Sequence, residues 1–107
     1  MQDVLNIIEK IRKEEINAVN RYTNGECLVL ALYLKKYFPK GHVIYLVRLY
    51  HFVFKLEGKY FDITGNVTSK YKNEKQIKYE EFRQRKKLIK MFKTENTYTL
   101  NTAKAYL

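Results

Sequence analysis

Apolar residues Val4, Ile7, Ile8, Ile11, Ile16 and Val19 recur at helical spacing among charged and amide side chains, which predicts an amphipathic helix from Asp3 to about Val19. Asp3 suits its N-cap, and Asn20 lies near its end. Thr23-Asn24-Gly25-Glu26 then interrupts the pattern ahead of Cys27-Leu28-Val29-Leu30-Ala31-Leu32-Tyr33-Leu34, which closes on Lys35-Lys36 and the breakers Pro39 and Gly41. This run predicts a second helix, apolar nearly all round and therefore buried, with Asn24 as N-cap and Cys27 in the first turn.

From His42 the period shortens. Val43-Ile44-Tyr45-Leu46-Val47 is β-branched and aromatic and reads as a central strand. His51-Phe52-Val53-Phe54-Lys55-Leu56 and Lys59-Tyr60-Phe61-Asp62-Ile63-Thr64-Gly65 flank the turn Glu57-Gly58, the pattern of a β-hairpin. Opposite residues in such a hairpin have numbers that sum to 115, which sets Phe54 against Phe61 and Phe52 against Ile63 on one face. The other face then carries His51 opposite Thr64 and Val53 opposite Asp62. Residues 66 to 73 predict only a turn or short strand. Helical spacing returns from about Glu74 to Lys93, with Tyr79, Phe82, Ile89 and Phe92 as the apolar stripe and Arg83, Lys87 and Lys90 on another face. Tyr98 and Leu100 alternate with Thr and Asn and suggest an edge strand in the last residues.

Composition narrows the class. The 107 residues fit one domain over 1–107, and 46% hydrophobic residues, with 10 Tyr and 6 Phe, suffice for a core of its own. One cysteine rules out an internal disulfide, a four-cysteine zinc site and a CxxC redox pair. No apolar run reaches the roughly 18 to 20 residues of a membrane helix, and Met1-Gln2-Asp3 carries an acid where a secretory signal has lysines. The expectation is a cytoplasmic protein, in the host cytoplasm if phage-encoded, without membrane partners.

The net charge of +10 is unevenly placed. Residues 1 to 69 hold 10 Lys/Arg against 7 Asp/Glu, residues 70 to 93 hold 10 against 3, and the rest hold 1 against 1. Most of the excess therefore lies on the last predicted helix and its approach. A basic helix face is often simply solvated. It is also the electrostatic footprint of nucleic acid or an acidic protein partner, with Arg83, Lys86, Lys87 and Lys90 as the contacts and Tyr71 and Tyr79 near enough to stack on bases. No helix-turn-helix, zinc-finger or RNA-recognition signature accompanies it, nor a P-loop or GxGxxG.

Candidate chemistry lies in Cys27, His51 and Asp62. A thiol in the first turn of a helix faces unsatisfied backbone N–H groups and the positive end of the helix dipole, which favour thiolate. On the hairpin register His51 and Asp62 are diagonal neighbours about 5 to 7 Å apart, so the carboxylate can hold the imidazole in one tautomer while its other nitrogen meets the thiol. The Cys27 backbone N–H and the Asn24 side chain are candidate oxyanion donors. The same residues also admit a plain reading: a buried hydrophobic cysteine, a strand-end histidine and a turn acid. His42 is a weaker base, since it follows the Cys27 helix at its far end, about 20 Å along.

The strings Asn24-Gly25-Glu26-Cys27-Leu28-Val29-Leu30-Ala31 and His51-Phe52-Val53-Phe54 through Tyr60-Phe61-Asp62-Ile63-Thr64-Gly65 resemble the papain-like and transglutaminase-like cysteine peptidase superfamily in its smallest bacterial and phage-type forms. The likeness covers about residues 20 to 65. It departs from the family pattern at Leu28, where an aromatic residue or Ser is usual, and in the short spacing between the three residues. The resemblance implies Cys27 as nucleophile, His51 as general base and Asp62 as the residue that orients it. It also implies an α+β fold, with N-terminal helices packed on a small antiparallel sheet in a papain-like/transglutaminase-like core, followed here by the basic C-terminal helix. The activity implied is acyl transfer without cofactor or metal: hydrolysis of a peptide, isopeptide or amide bond, or transfer to an amine, on an unknown protein or peptide substrate. The alternative is a non-catalytic phage-type inhibitor or accessory protein that grips an acidic protein or nucleic acid through its basic helix.

Overall fold

The computed structural model describes the backbone of residues 2–92 and side chains as far as Arg85. It is an α+β fold in which N-terminal helices pack on a five-stranded sheet of order β4-β3-β2-β1-β5, every neighbouring pair antiparallel. Helix α1 spans Gln2–Glu14, α2 Ala18–Thr23 and α3 Cys27–Tyr37, ahead of strands β1 His42–Leu46, β2 His51–Leu56 and β3 Lys59–Asp62. The short elements β4 Gly65–Asn66, α4 Thr68–Tyr71 and β5 Gln76–Lys78 then lead into α5, Tyr79–Phe92. Among the described residues no helix is long and apolar enough to cross a membrane.

The first predicted helix is two. Asn17 takes a left-handed φ of 60°, a conformation that Asn tolerates better than most residues, and the chain turns there. Ile16 is thrown out to 90% exposure, and Val19 is also exposed. Ala18 and Tyr22 go in instead, joining Val4 and Ile8 of α1, Leu30 and Leu34 of α3, and the sheet residues Phe54, Phe61 and Ile63. The Tyr22 hydroxyl donates to Glu15 at 2.8 Å across this corner. Helix α3 is buried on the sides facing α1, α2 and the sheet, whereas Val29, Tyr33 and Tyr37 are exposed, so it is not apolar toward protein all round. Asn24 closes α2 and does not cap α3, because Glu26 occupies the N-cap position.

Strand alternation divides the core. Val43 and Tyr45 of β1 and Phe52 of β2 meet Cys27, Leu28 and Ala31 of α3 and Tyr79 and Phe82 of α5. Ile44, Leu46 and Val53 share the opposite cluster with Tyr60, Val67 and Tyr71. The hairpin register is Phe54 against Phe61 and Leu56 against Lys59, as the sum of 115 requires. Phe54 and Phe61 are fully buried, which at about 1.5–3 kcal/mol for each such side chain helps pin the register. The expected Phe52–Ile63 rung is not in the ladder, since β3 ends at Asp62 and the chain turns back through Thr64 to pair Asp62 with Gly65. The last helix starts at Tyr79 and not at Glu74, because Gln76, Ile77 and Lys78 pair with Leu46, Tyr45 and Ile44 at the sheet edge. The strand proposed near Tyr98 lies outside the described residues.

Candidate active site

Cys27 opens α3 at the end of a tight corner. Gly25 has φ 129°, a backbone state that side-chain-bearing residues avoid, and the Arg21 guanidinium pairs with both Glu26 and Glu15 across the turn. Cys27 is only 9% exposed and packs with Leu28, Ala31, Val43 and Phe52. Its thiol accepts a hydrogen bond from the Phe52 backbone N–H, 3.5 Å from Sγ. The connection between β1 and β2 then delivers His51 to the adjoining position. Tyr50, at φ 50°, turns the chain so that His51 pairs opposite Leu46 and starts β2.

His51 and Asp62 meet directly. Nε2 of His51 lies 3.1 Å from Oδ2 of Asp62, with the two side chains 12% and 6% exposed. Oδ1 of Asp62 accepts the Thr64 backbone N–H at 2.8 Å and also the Thr64 hydroxyl, the local pattern of an Asx turn. One carboxylate oxygen is thus occupied by the turn and the other faces the imidazole. The Tyr71 ring, 5.8 Å from that of His51, supports its other side.

The same contacts set the protonation states. Burial alone pushes the Cys27 thiol up, but hydrogen bonds with His51 and the Phe52 N–H, with the nearby imidazolium charge, bring it below its ordinary value. For His51 burial favours the neutral ring, and hydrogen bonds to Asp62 and Cys27 outweigh it, so its pKa is pushed up to about 9. Burial likewise raises Asp62, and its bonds to His51 and Thr64 carry it below the usual carboxylate range. Together these directions favour a thiolate–imidazolium pair backed by a carboxylate.

Other candidate residues are placed differently. The Asn24 side-chain amide donates to Asn20 Oδ1 at 2.5 Å, on the exposed end of α2. His42 stands at the end of β1 remote from His51, paired opposite Lys55. Arg83 is exposed, 5.8 Å over the Tyr79 ring, on a helix whose Phe82 packs among Tyr45 and Phe52. Lys86, Lys87 and Lys90 belong to α5, and their side chains lie outside the described ones, as do those of Ile89 and Phe92. Among the described residues no group of three or more His, Cys, Asp or Glu side chains is arranged to hold a metal ion.

Sequence reasoning set Thr64 opposite His51 and allowed Asp62 to be a turn acid, but did not foresee that Thr64 donates to Asp62, that the Tyr71 ring packs by His51 or that the Phe52 N–H donates to Cys27. The Asp62-x-Thr64 spacing is itself an Asx-turn signal and could have found the first. Also missed is an open cleft of about 380 Å³ beside the His51–Asp62 pair, with Leu49, Tyr50, Lys70 and Tyr71 among its walls.

A family model described as phage YunG-like protein matches residues 4–101. No curated protein and no solved structure matches the chain.

Proposed function

The chain belongs to the phage YunG-like family, and we propose that it is a small cysteine-dependent acyl-transfer protein built on Cys27, His51 and Asp62. The observation that carries this reading is the His51 ring bonded at 3.1 Å to a carboxylate whose other oxygen is tied to Thr64, with His51 next in sequence to Phe52, whose backbone N–H donates to Cys27 Sγ at 3.5 Å. The likeness to papain-like and transglutaminase-like proteins, which rests on the residue pattern, supports it further.

In the proposed reaction Cys27 thiolate attacks the carbonyl carbon of a peptide, isopeptide or other amide. The carbonyl π pair moves to oxygen, where the Cys27 backbone N–H at the start of α3 is the donor we assign. Asn24, engaged with Asn20, has no part assigned to it here. Collapse of this adduct breaks the C–N bond as the imidazolium gives its proton to the leaving amine, leaving a thioester. Water, deprotonated by the now neutral His51, or an acceptor amine then displaces the thiolate and restores the imidazolium. Asp62 holds the ring with Nε2 toward itself, and Nδ1 is the nitrogen we assign to the thiol.

Native alkylation tests this. Iodoacetamide near pH 7 should label Cys27 faster than a free cysteine, and His51→Ala should slow labelling by about tenfold, the change in thiolate fraction for one pH unit of pKa. Labelling seen only after denaturation, or an unchanged rate in a folded His51→Ala variant, rejects the reading.

A second reading is a phage accessory protein that binds an acidic partner or nucleic acid through α5. What favours it is the phage family together with the exposed Arg83 and Arg85 that flank the sheet-facing side of the helix.

A further inference from the structure

The cleft beside His51 is charged in one sense. Among the described residues that line it Asp62 is the sole acid, and both its oxygens are taken, one by His51 and one by Thr64. The remaining charged wall is Lys70, whose ammonium lies 5.1 Å from the centre of the Tyr71 ring, the same ring that packs 5.8 Å from His51. Tyr71 is buried and fixed in the core beneath the cleft, so it sets the ammonium and the imidazole along one wall. Opposite in character are Leu49 and Tyr50, which the turn before β2 holds out in solvent, Tyr50 at 81% exposure. Apolar and aromatic surface next to a cation fits a short methylene chain that ends in a carboxylate. It does not fit a basic side chain, which would meet Lys70 with like charge.

We infer that the cleft selects acidic peptide substrates, with a carboxylate near the reacting carbonyl held by Lys70 and its methylenes against Leu49 and Tyr50. The inference rests on the Cys27 nucleophile proposed above and adds the class of acyl group that it would receive. Lys70 is a specificity residue in this scheme: it touches substrate and takes no part in bond making.

Two alkylating probes of matched size separate the claims: iodoacetate carries a carboxylate and iodoacetamide does not. The readout is the ratio of their rate constants at Cys27 in native protein. Lys70→Gln should lower the iodoacetate-to-iodoacetamide ratio by about threefold and Lys70→Glu by more, on the scale expected for removal of one partly screened charge. Lys70→Arg should keep the ratio. Lys36→Gln, an equal charge change near the far end of α3, should leave it unchanged. Normal iodoacetamide labelling with a ratio that ignores Lys70, or that falls equally in Lys36→Gln, overturns the acidic-substrate inference and leaves the nucleophile standing. Native Cys27 inert to both probes removes the nucleophile and this inference with it.

Discussion

Asp62 has two tasks, and they are chemically separable. Its Oδ1 closes the turn to Thr64 and its Oδ2 faces the imidazole. Asp62→Asn keeps an acceptor for the turn and loses the charge, so the His51 pKa should fall from about 9 by at least about one unit toward 6.5. Titration of the His51 ring protons by NMR reads this directly, and a value still near 9 would assign the shift to Cys27 instead. The stability consequence has a definite sign. A folded pKa of about 9 against 6.5 means that the imidazolium's stabilisation is complete below pH 6.5 and is lost as pH rises through about 9. Asp62, depressed in the fold, contributes above the ordinary carboxylate range and loses that contribution as pH falls below it. Urea melts of the wild type between pH 6.5 and 9 should therefore lose about 1–2 kcal/mol, after allowance for solvent screening, and Asp62→Asn should lose less over the same interval. The three residue types were legible in the sequence because a helix start, a strand start and a strand end are recognisable from pattern. Thr64 was placed there only opposite His51, and Tyr71 only as a ring that could stack on bases. The contact between Tyr71 and His51 spans elements that no local period links.

At the scale of elements, what was legible depended on whether apolar pattern and burial agreed. Phe54 and Phe61 are both buried and opposed, so the hairpin register could be read from spacing alone. Ile16 and Val19 fit the same helical period as Val4 and Ile8 yet are exposed, and only the left-handed turn at Asn17 tells them apart. Strand β5, Gln76–Lys78, is three residues long and holds one apolar residue, so its pairing with β1 leaves little mark in the sequence. The turn from α3 into β1 carries a sharper constraint. A Cβ on Gly41 would run into the Phe54 ring and come within 3.0 Å of the Lys55 carbonyl. Phe54 is 0% exposed and has no open side to move into. Gly41→Ala should therefore destabilise the protein by about 1–3 kcal/mol, the usual cost of overpacking, seen as a lower urea midpoint at unchanged m-value. An unchanged midpoint would mean that the ring relaxes freely, contrary to its packing with Phe38 at 6.3 Å.

For the molecule as a whole, the +10 charge is concentrated, and a concentrated charge has consequences that an even one lacks. Helix α5 is attached through Tyr79 and Phe82, whose rings pack on Phe52 at 6.0 and 5.2 Å, and this attachment leaves Arg83 and Arg85 outward. The sequence places Lys86, Lys87 and Lys90 on the following turns. If Arg83, Lys86, Lys87 and Lys90 grip a polyanion, affinity for duplex DNA or heparin should fall steeply with salt, because each neutralised phosphate releases about 0.7–0.9 of a condensed counterion. Four contacts give a slope of about −3 in log K against log salt. Changing Arg83, Lys87 and Lys90 together to Glu should abolish that binding and leave the unfolding free energy within about 0.5 kcal/mol of wild type, since the packing of Tyr79 and Phe82 on the sheet is kept and only the exposed Arg83 contact with the Tyr79 ring is lost. It should also leave Cys27 alkylation by iodoacetamide unchanged, which separates the helix from the proposed acyl-transfer site. Salt-insensitive retention, or no binding at about 50 mM salt, makes the basic face a solvated surface and leaves the acyl-transfer reading alone. Binding that survives the triple change moves the polyanion surface to another face, with Lys70 beside the cleft the next residue to replace.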